Sequence, residues 1–193
     1  MQSVCVFCGS SPGIDPAYAQ AARSLGRTLA EANVRLVFGG GHVGLMGVIS
    51  NAALEAGGEA IGIIPKSLVE RELAHPGLTD LRIVGSMHER KAMMSDLSEG
   101  FITLPGGTGT LEEFFEVLTW AQLGEHEKPC GLLNVADYFD PLLAVFDQMV
   151  GRGFLSESDR SLLLVEGVPG RLLQRFEHFE PPKTARWMNR SET

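Results

Sequence analysis

Positive charge is in short supply in this chain. Its 16 Lys and Arg residues stand against 24 Asp and Glu, a formal net charge of −8, which argues against a surface that coats nucleic acid. A small anionic ligand remains open, because it needs only a local cradle. Cysteine is scarcer still: Cys5, Cys8 and Cys130 do not suggest a disulfide framework. Cys5 and Cys8 have the C-x-x-C spacing of a redox pair, but such a pair normally opens a helix. Here Cys5 lies in the apolar run VCVFC, with GSSPG following, so a buried strand and its end are expected. No second cysteine or histidine pair stands nearby to complete a zinc site. Long apolar runs are missing as well. None is long enough to span a bilayer, and the N-terminus MQSVCVFCGSS lacks the basic region of a signal peptide. The expected location is cytoplasmic, with neither membrane nor nucleic acid as a partner.

What is present has the profile of a soluble globular domain, 44% apolar and 21% charged over 193 residues. Short apolar runs alternate with helical stretches. The strands read as SVCVF, RLVF, EAIGIIP, LRIVG, GFITLP and KPCGLLN, with a short SLLLVE near the end. Helical periodicity marks AYAQAARSLGRTLAEA, LMGVISNAALEAG, a segment from about Met87 to Leu97, one beginning near Thr110, DPLLAVFDQMVGRG and PGRLLQRFEHF. Repeated strand–helix units with nearly continuous apolar strands predict an α/β, Rossmann-like, doubly wound and mostly parallel sheet with helices on both faces. One domain is expected over residues 1–180, followed by a flexible tail, 181–193. Ligands in such sheets bind outside the carboxyl ends of the strands. The glycine-rich loops after the first, second and fifth strands all emerge there.

Two of those loops compete for a phosphate. Gly39, Gly41 and Gly44 satisfy G-x-G-x-x-G between a strand and a helix. A dinucleotide site also needs an acid at the end of the following strand, and that strand ends IGIIP. A tight turn for helix–sheet packing is the plainer reading, and a lining role in a nucleotide pocket an intermediate one. The stretch LPGGTGTLEE, Leu104 to Glu113, is more informative. Gly106, Gly107 and Gly109 remove side chains from successive amides, Thr108 and Thr110 add hydroxyls, and a helix then starts with its first N–H groups unsatisfied. That combination suits a phosphate. It lacks the lysine that a Walker loop places on a triphosphate, so a monophosphate fits better. Thr110-Leu111-Glu112-Glu113 also spells a capping box, in which Glu113 would bond back to the Thr110 amide. Local sequence leaves cap and chemistry both open. Phe114, Phe115, Val117, Leu118 and Ala121 make the rest of this helix apolar, while Glu112, Glu116 and Thr119 form one polar strip that would face a wet pocket or a partner chain.

A third constellation is MHERKAMM, where Arg90 and Lys91 open the helix after the fourth strand. A solvated basic turn is its plain alternative. His88 reads as a packing or hydrogen-bonding residue rather than a metal ligand. Glu72 follows the third strand and is unremarkable alone.

Together, GGGHVGLMG, MHERKAMM and LPGGTGTLEE resemble the Lonely Guy (LOG) family of phosphoribohydrolases, whose members have often carried the label lysine decarboxylase. The match runs in order from about residue 2 to about residue 180. The resemblance implies hydrolysis of the N-glycosidic bond of a purine nucleoside 5′-monophosphate. Cytokinin riboside monophosphates such as isopentenyl-AMP, and often AMP, would give free base and ribose 5-phosphate. It implies that Arg90 and Glu113 are the catalytic pair. Glu72, Arg90, Lys91, Gly107, Thr108, Gly109, Thr110, Leu111, Glu112, Glu113 and Thr119 would contact substrate. Thr108 stands at a position often aromatic in plant members. The family is homodimeric, with active sites near the subunit interface, and the chemistry requires neither metal nor cofactor. Two alternatives stand beside it. A pyridoxal-phosphate decarboxylase would need a Schiff-base lysine, for which Lys66 and Lys91 are candidates only by being lysines. A non-catalytic nucleotide-binding module would keep the cradle but have no need of the Arg90–Glu113 pair.

Overall fold

The computed structural model describes residues 1–69 and 74–182. Among these, the strands β1 (Ser3–Phe7), β2 (Arg35–Phe38), β3 (Ala60–Pro65), β4 (Asp80–Val84), β5 (Phe101–Thr103), β6 (Cys130–Leu133) and β7 (Leu163–Glu166) form one sheet. Its order is β4-β3-β2-β1-β5-β6-β7, and every pairing is parallel. The chain winds outward from β1 to β4, returns to the other flank of β1 as β5, and winds outward again to β7. The reversal lies between β1 and β5, registered Cys5 to Phe101 and Phe7 to Thr103. The loops after these two strands must diverge, and that leaves a crevice at their carboxyl ends.

The central strands read as continuous apolar runs because both faces are covered. One face, with Val4, Val6, Leu36 and Phe38, packs under α1 (Pro16–Glu31), α2 (Gly44–Glu55) and the C-terminal helix Pro169–Glu177. The other, with Cys5, Phe7, Ile61, Ile63 and Phe101, packs under the helices Met87–Asp96, Thr108–Leu123 and Asp140–Gly151. Two short helices, Lys66–Val69 and Glu157–Ser161, and a 3₁₀ turn, Val135–Asp137, join them. In chain order the helices are α1 and α2, α3 (Lys66–Val69), α4 (Met87–Asp96), α5 (Thr108–Leu123), α6 (Asp140–Gly151), α7 (Glu157–Ser161) and α8 (Pro169–Glu177). The sequence predicts six of these eight. Pro16 occupies the first turn of α1, with Asp15 capping the Ala17 amide.

Cys5 and Cys8 contribute to opposite cores, as an odd spacing along a strand requires. Burial pushes both thiols well above the usual range, so C-x-x-C here is packing. No helix among the described residues is long and apolar enough to cross a membrane. Of the expected tail, residues 183–193 lie outside the described residues.

Candidate active site

The crevice between β1 and β5 is walled by the start of α5. The helix begins at Thr108, three residues earlier than the capping-box pattern predicts. Gly107 takes the cap position in extended backbone, with no side-chain cap bond. Glu113 therefore falls in the second turn, beyond reach of the cap, and the capping box does not form. The amides of Gly107, Thr108, Gly109 and Thr110 find no acceptor among the described residues. They form a concentrated patch of positive partial charge.

Glu113 turns instead to Arg90, whose Nη1 donates to its Oε1 at 2.7 Å. Each residue is only 8% exposed. Arg90 is held on three sides. Ser86 caps α4 by accepting from the Glu89 amide, which fixes the first turn that carries Arg90. Nε of Arg90 donates to the Ile63 carbonyl of β3 at 3.1 Å. Nη2 lies over Gly39 at the end of β2, where a methyl group would collide with it. That close approach is one reason for glycine at this position. Burial pushes the Glu113 carboxyl above its ordinary value, and the neighbouring guanidinium only partly offsets the shift.

Lys91 points away from this pair and donates to Glu112 and, at 2.9 Å, to Glu116. Burial works against its charge, but the two carboxylates outweigh burial and raise its pKa. The strip of Glu112 and Glu116 thus meets α4 of the same chain. Thr119, two turns beyond Glu112, is exposed and outside the cleft.

The cleft measures about 300 Å³. Gly107, Thr108, Gly109, Thr110, Glu112 and Glu113 line it together with Arg90, and Met46, Met87, Met94 and Phe7 give it an apolar wall. Sequence reasoning missed that wall. Its signal was the helical spacing of Met87 and Met94 about Arg90, which puts all three on one face. Leu111 is a packing residue whose amide bonds to the Gly107 carbonyl. Glu72 lies outside the described residues. His88 is exposed. The Gly39–Gly44 loop takes the intermediate role. Gly39 lines the cleft, while the start of α2 is occupied by protein, since the Leu45 amide donates to the Gly9 carbonyl at 3.0 Å. Gly44 (φ 57°) packs against the Ser10 backbone, and a side chain there would collide with it. That helix end is packed against the loop after β1.

Residues 46–176 match the family described as "Possible lysine decarboxylase". A probable cytokinin riboside 5′-monophosphate phosphoribohydrolase of Oryza sativa subsp. japonica is 50% identical over 179 residues, 93% of this chain and 73% of that one. A cytokinin riboside 5′-monophosphate phosphoribohydrolase of Rhodococcoides fascians is 51% identical over 165 residues, 85% of this chain and 83% of its own. The chain belongs to the Lonely Guy family of phosphoribohydrolases. The decarboxylase description fits this member poorly. A Schiff-base lysine must supply a free amine in the cleft; Lys91 is bound between two carboxylates, and Lys66 on α3 is exposed and outside the cleft lining. Among solved structures, the molybdenum cofactor carrier protein of Chlamydomonas reinhardtii superposes with a TM-score of 0.69 at 19% identity, covering 91% of this chain and 96% of that one. The molybdenum cofactor binding protein of Rippkaea orientalis gives 0.68 at 22%, covering 91% and 95%. At that identity the likeness is one of fold.

Proposed function

We propose that this Lonely Guy protein hydrolyses the N-glycosidic bond of purine nucleoside 5′-monophosphates, AMP and N6-modified forms such as isopentenyl-AMP. The products are free base and ribose 5-phosphate. One observation carries the reading: a buried Arg90–Glu113 pair beside four amides at a helix N-terminus that have no partner among the described residues. The 5′-phosphate binds the amides of Gly107 to Thr110, with the hydroxyls of Thr108 and Thr110 at hand. The ribose then lies along Glu113 and the base along the methionine wall, whose thioethers suit a flat aromatic face.

In the reaction the bond between C1′ and the base nitrogen breaks, with its electron pair leaving on the base. The oxygen of a water forms a new bond to C1′, and the base takes up a proton. Positive charge builds on the ribose in the transition state. The Glu113 carboxylate stabilises that charge and orients the water. Arg90 holds the carboxylate in place and offers its remaining N–H groups to the sugar or phosphate. Glu112 lines the cleft and acts on substrate affinity, and Lys91, bound to it, acts through its position. No step calls for a metal or cofactor.

The names of its relatives, cytokinin riboside 5′-monophosphate phosphoribohydrolases, support both reaction and substrate class. Residues 1–180 are read as one catalytic domain acting in the cytoplasm. Incubation with AMP should release adenine without added metal, and adenosine should be a poor substrate, because binding energy from the remote phosphate is used in the transition state. Equal rates on the two would remove the cradle from the mechanism. Binding of AMP without release of adenine would return the protein to a nucleotide-binding role.

We also propose a homodimer. Thr119 lies outside the cleft of its own chain, and Leu123 of α5 and Val145 of α6 are apolar side chains left 55% and 44% exposed, which a second copy would cover. Light scattering should give twice the chain mass. A fully active monomer would contradict the proposal.

A further inference from the structure

The loop after β6 holds an unusual backbone. Among the described residues, the non-glycine positions with positive φ are Asn33, Ala136 and Asp137. Asn33 follows a helix end, where this conformation is common. Ala136 (φ 49°) and Asp137 (φ 56°) are consecutive and carry the steric penalty of a left-handed backbone. Asn134 fixes the turn, accepting from the Phe139 amide at 2.8 Å and donating to Asp140 at 2.7 Å. What the turn delivers is Tyr138. Its ring stands edge-on to Tyr18 and Phe139, with centroids 5.6 and 5.0 Å away. Its hydroxyl donates to the Gly106 carbonyl at 2.5 Å.

That carbonyl shares a peptide unit with the Gly107 N–H. The unit is planar and trans, so the two groups point in opposite directions. Holding the carbonyl toward Tyr138 turns the N–H away from it. Tyr138 borders a separate cleft with Tyr18 and Pro105, and Gly107 lies on the boundary between that cleft and the active-site cleft. The preceding peptide is pinned independently, since the Pro105 carbonyl accepts from the Gly9 amide at 3.1 Å. The Gly106–Gly107 peptide has glycine on both sides, and among the described residues its carbonyl and N–H make no other hydrogen bond. We infer that Tyr138 is a positioning residue for phosphate binding: it locks this peptide so that the Gly107 N–H joins those of Thr108 to Thr110 as an anion donor. The inference rests on the reading of those amides as the phosphate site.

Tyr138→Phe keeps the ring and its packing and removes only the donor. In the full chain the Kd for inorganic phosphate, measured by calorimetry, should rise roughly 3–10-fold, the usual effect of one hydrogen bond. The KM for AMP should rise in parallel, while kcat, the thermal midpoint and inhibition by adenine stay unchanged. Tyr18→Phe leaves the ring contact and touches no carbonyl, so it should alter none of these. Equal phosphate affinity in native chain and Tyr138→Phe would overturn the inference, as would equal weakening of phosphate and adenine. A native chain that binds no phosphate overturns it too. If the native chain binds phosphate but releases no base from AMP, the functional reading fails while the phosphate comparison still decides the role of Tyr138.

Discussion

Glu113→Gln should slow AMP hydrolysis by roughly 10²–10⁴-fold, the range for loss of a positioned catalytic carboxylate, with little change in thermal midpoint. The amide has the carboxylate's shape and still offers an oxygen to Arg90. What it loses is the negative charge that faces the developing cation. A helix-capping role predicts the reverse, near-normal turnover, because glutamine serves as well in a capping box. The geometry already weakens that role, since Glu113 accepts from Arg90 at 2.7 Å and the cap is Gly107. Glu112→Gln should act through KM, because its side chain is 56% exposed and bound to Lys91. The pH profile adds an independent check. Burial raises the Glu113 pKa above 4.5, so kcat/KM should climb with pH through a limb above that value, as the carboxylate forms. Stability should run the other way. A carboxyl whose folded pKa is raised binds more protons in the folded state. Its contribution is present below 4.5 and is lost as pH rises through the folded value. Glu113→Gln should remove both slopes. Steady-state rates beside melting curves across the acid range measure them together.

The contrast between Glu113 and the capping-box pattern shows how far local sequence reaches. Thr110-x-x-Glu113 matched a cap because a cap is decided within four residues. Its partner Arg90 stands 23 residues away, on a helix whose approach depends on Gly39 and the end of β3. Only the resemblance to a family joined the two before the fold was known. The sheet was far more legible, since each strand is an apolar run bounded by glycine, proline or a polar turn. Doubly covered strands leave no alternation to mislead. The helices that escaped, α3 and α7, have four and five residues, too few to show a period. Tyr138 left no signal at all. Its position depends on two successive left-handed residues, and Ala136 is neither the glycine nor the asparagine that would mark such a turn.

Arg90→Ala should cost as much activity as Glu113→Gln, roughly 10²–10⁴-fold, but for a reason that pH can expose. Removing the guanidinium takes away the 2.7 Å bond and leaves Glu113 buried without its cation. Lys91 offers little relief, because its ammonium is bound to Glu112 and Glu116. Desolvation then acts unopposed on a carboxyl whose pKa it already raises, so the acid limb of kcat/KM should move to higher pH. Part of the activity should return as pH is raised through the displaced value, whereas Glu113→Gln has no charge to recover. Orphaning one member of a buried ion pair costs about 3–5 kcal/mol, and the lower end applies here because the cleft admits water. That cost falls on the charged form of Glu113, so Arg90→Ala should melt lowest where the carboxylate is ionised and regain stability as the pH drops. Adding Glu113→Gln to Arg90→Ala should restore the neutral-pH melting point without restoring turnover. Arg90→Lys keeps a positive charge but loses the forked geometry that serves the Ile63 carbonyl and Glu113 together, so its limb should lie between those of the native chain and Arg90→Ala. An unmoved limb in Arg90→Ala would mean that the two side chains do not titrate as a pair, and would leave Arg90 acting on the substrate alone.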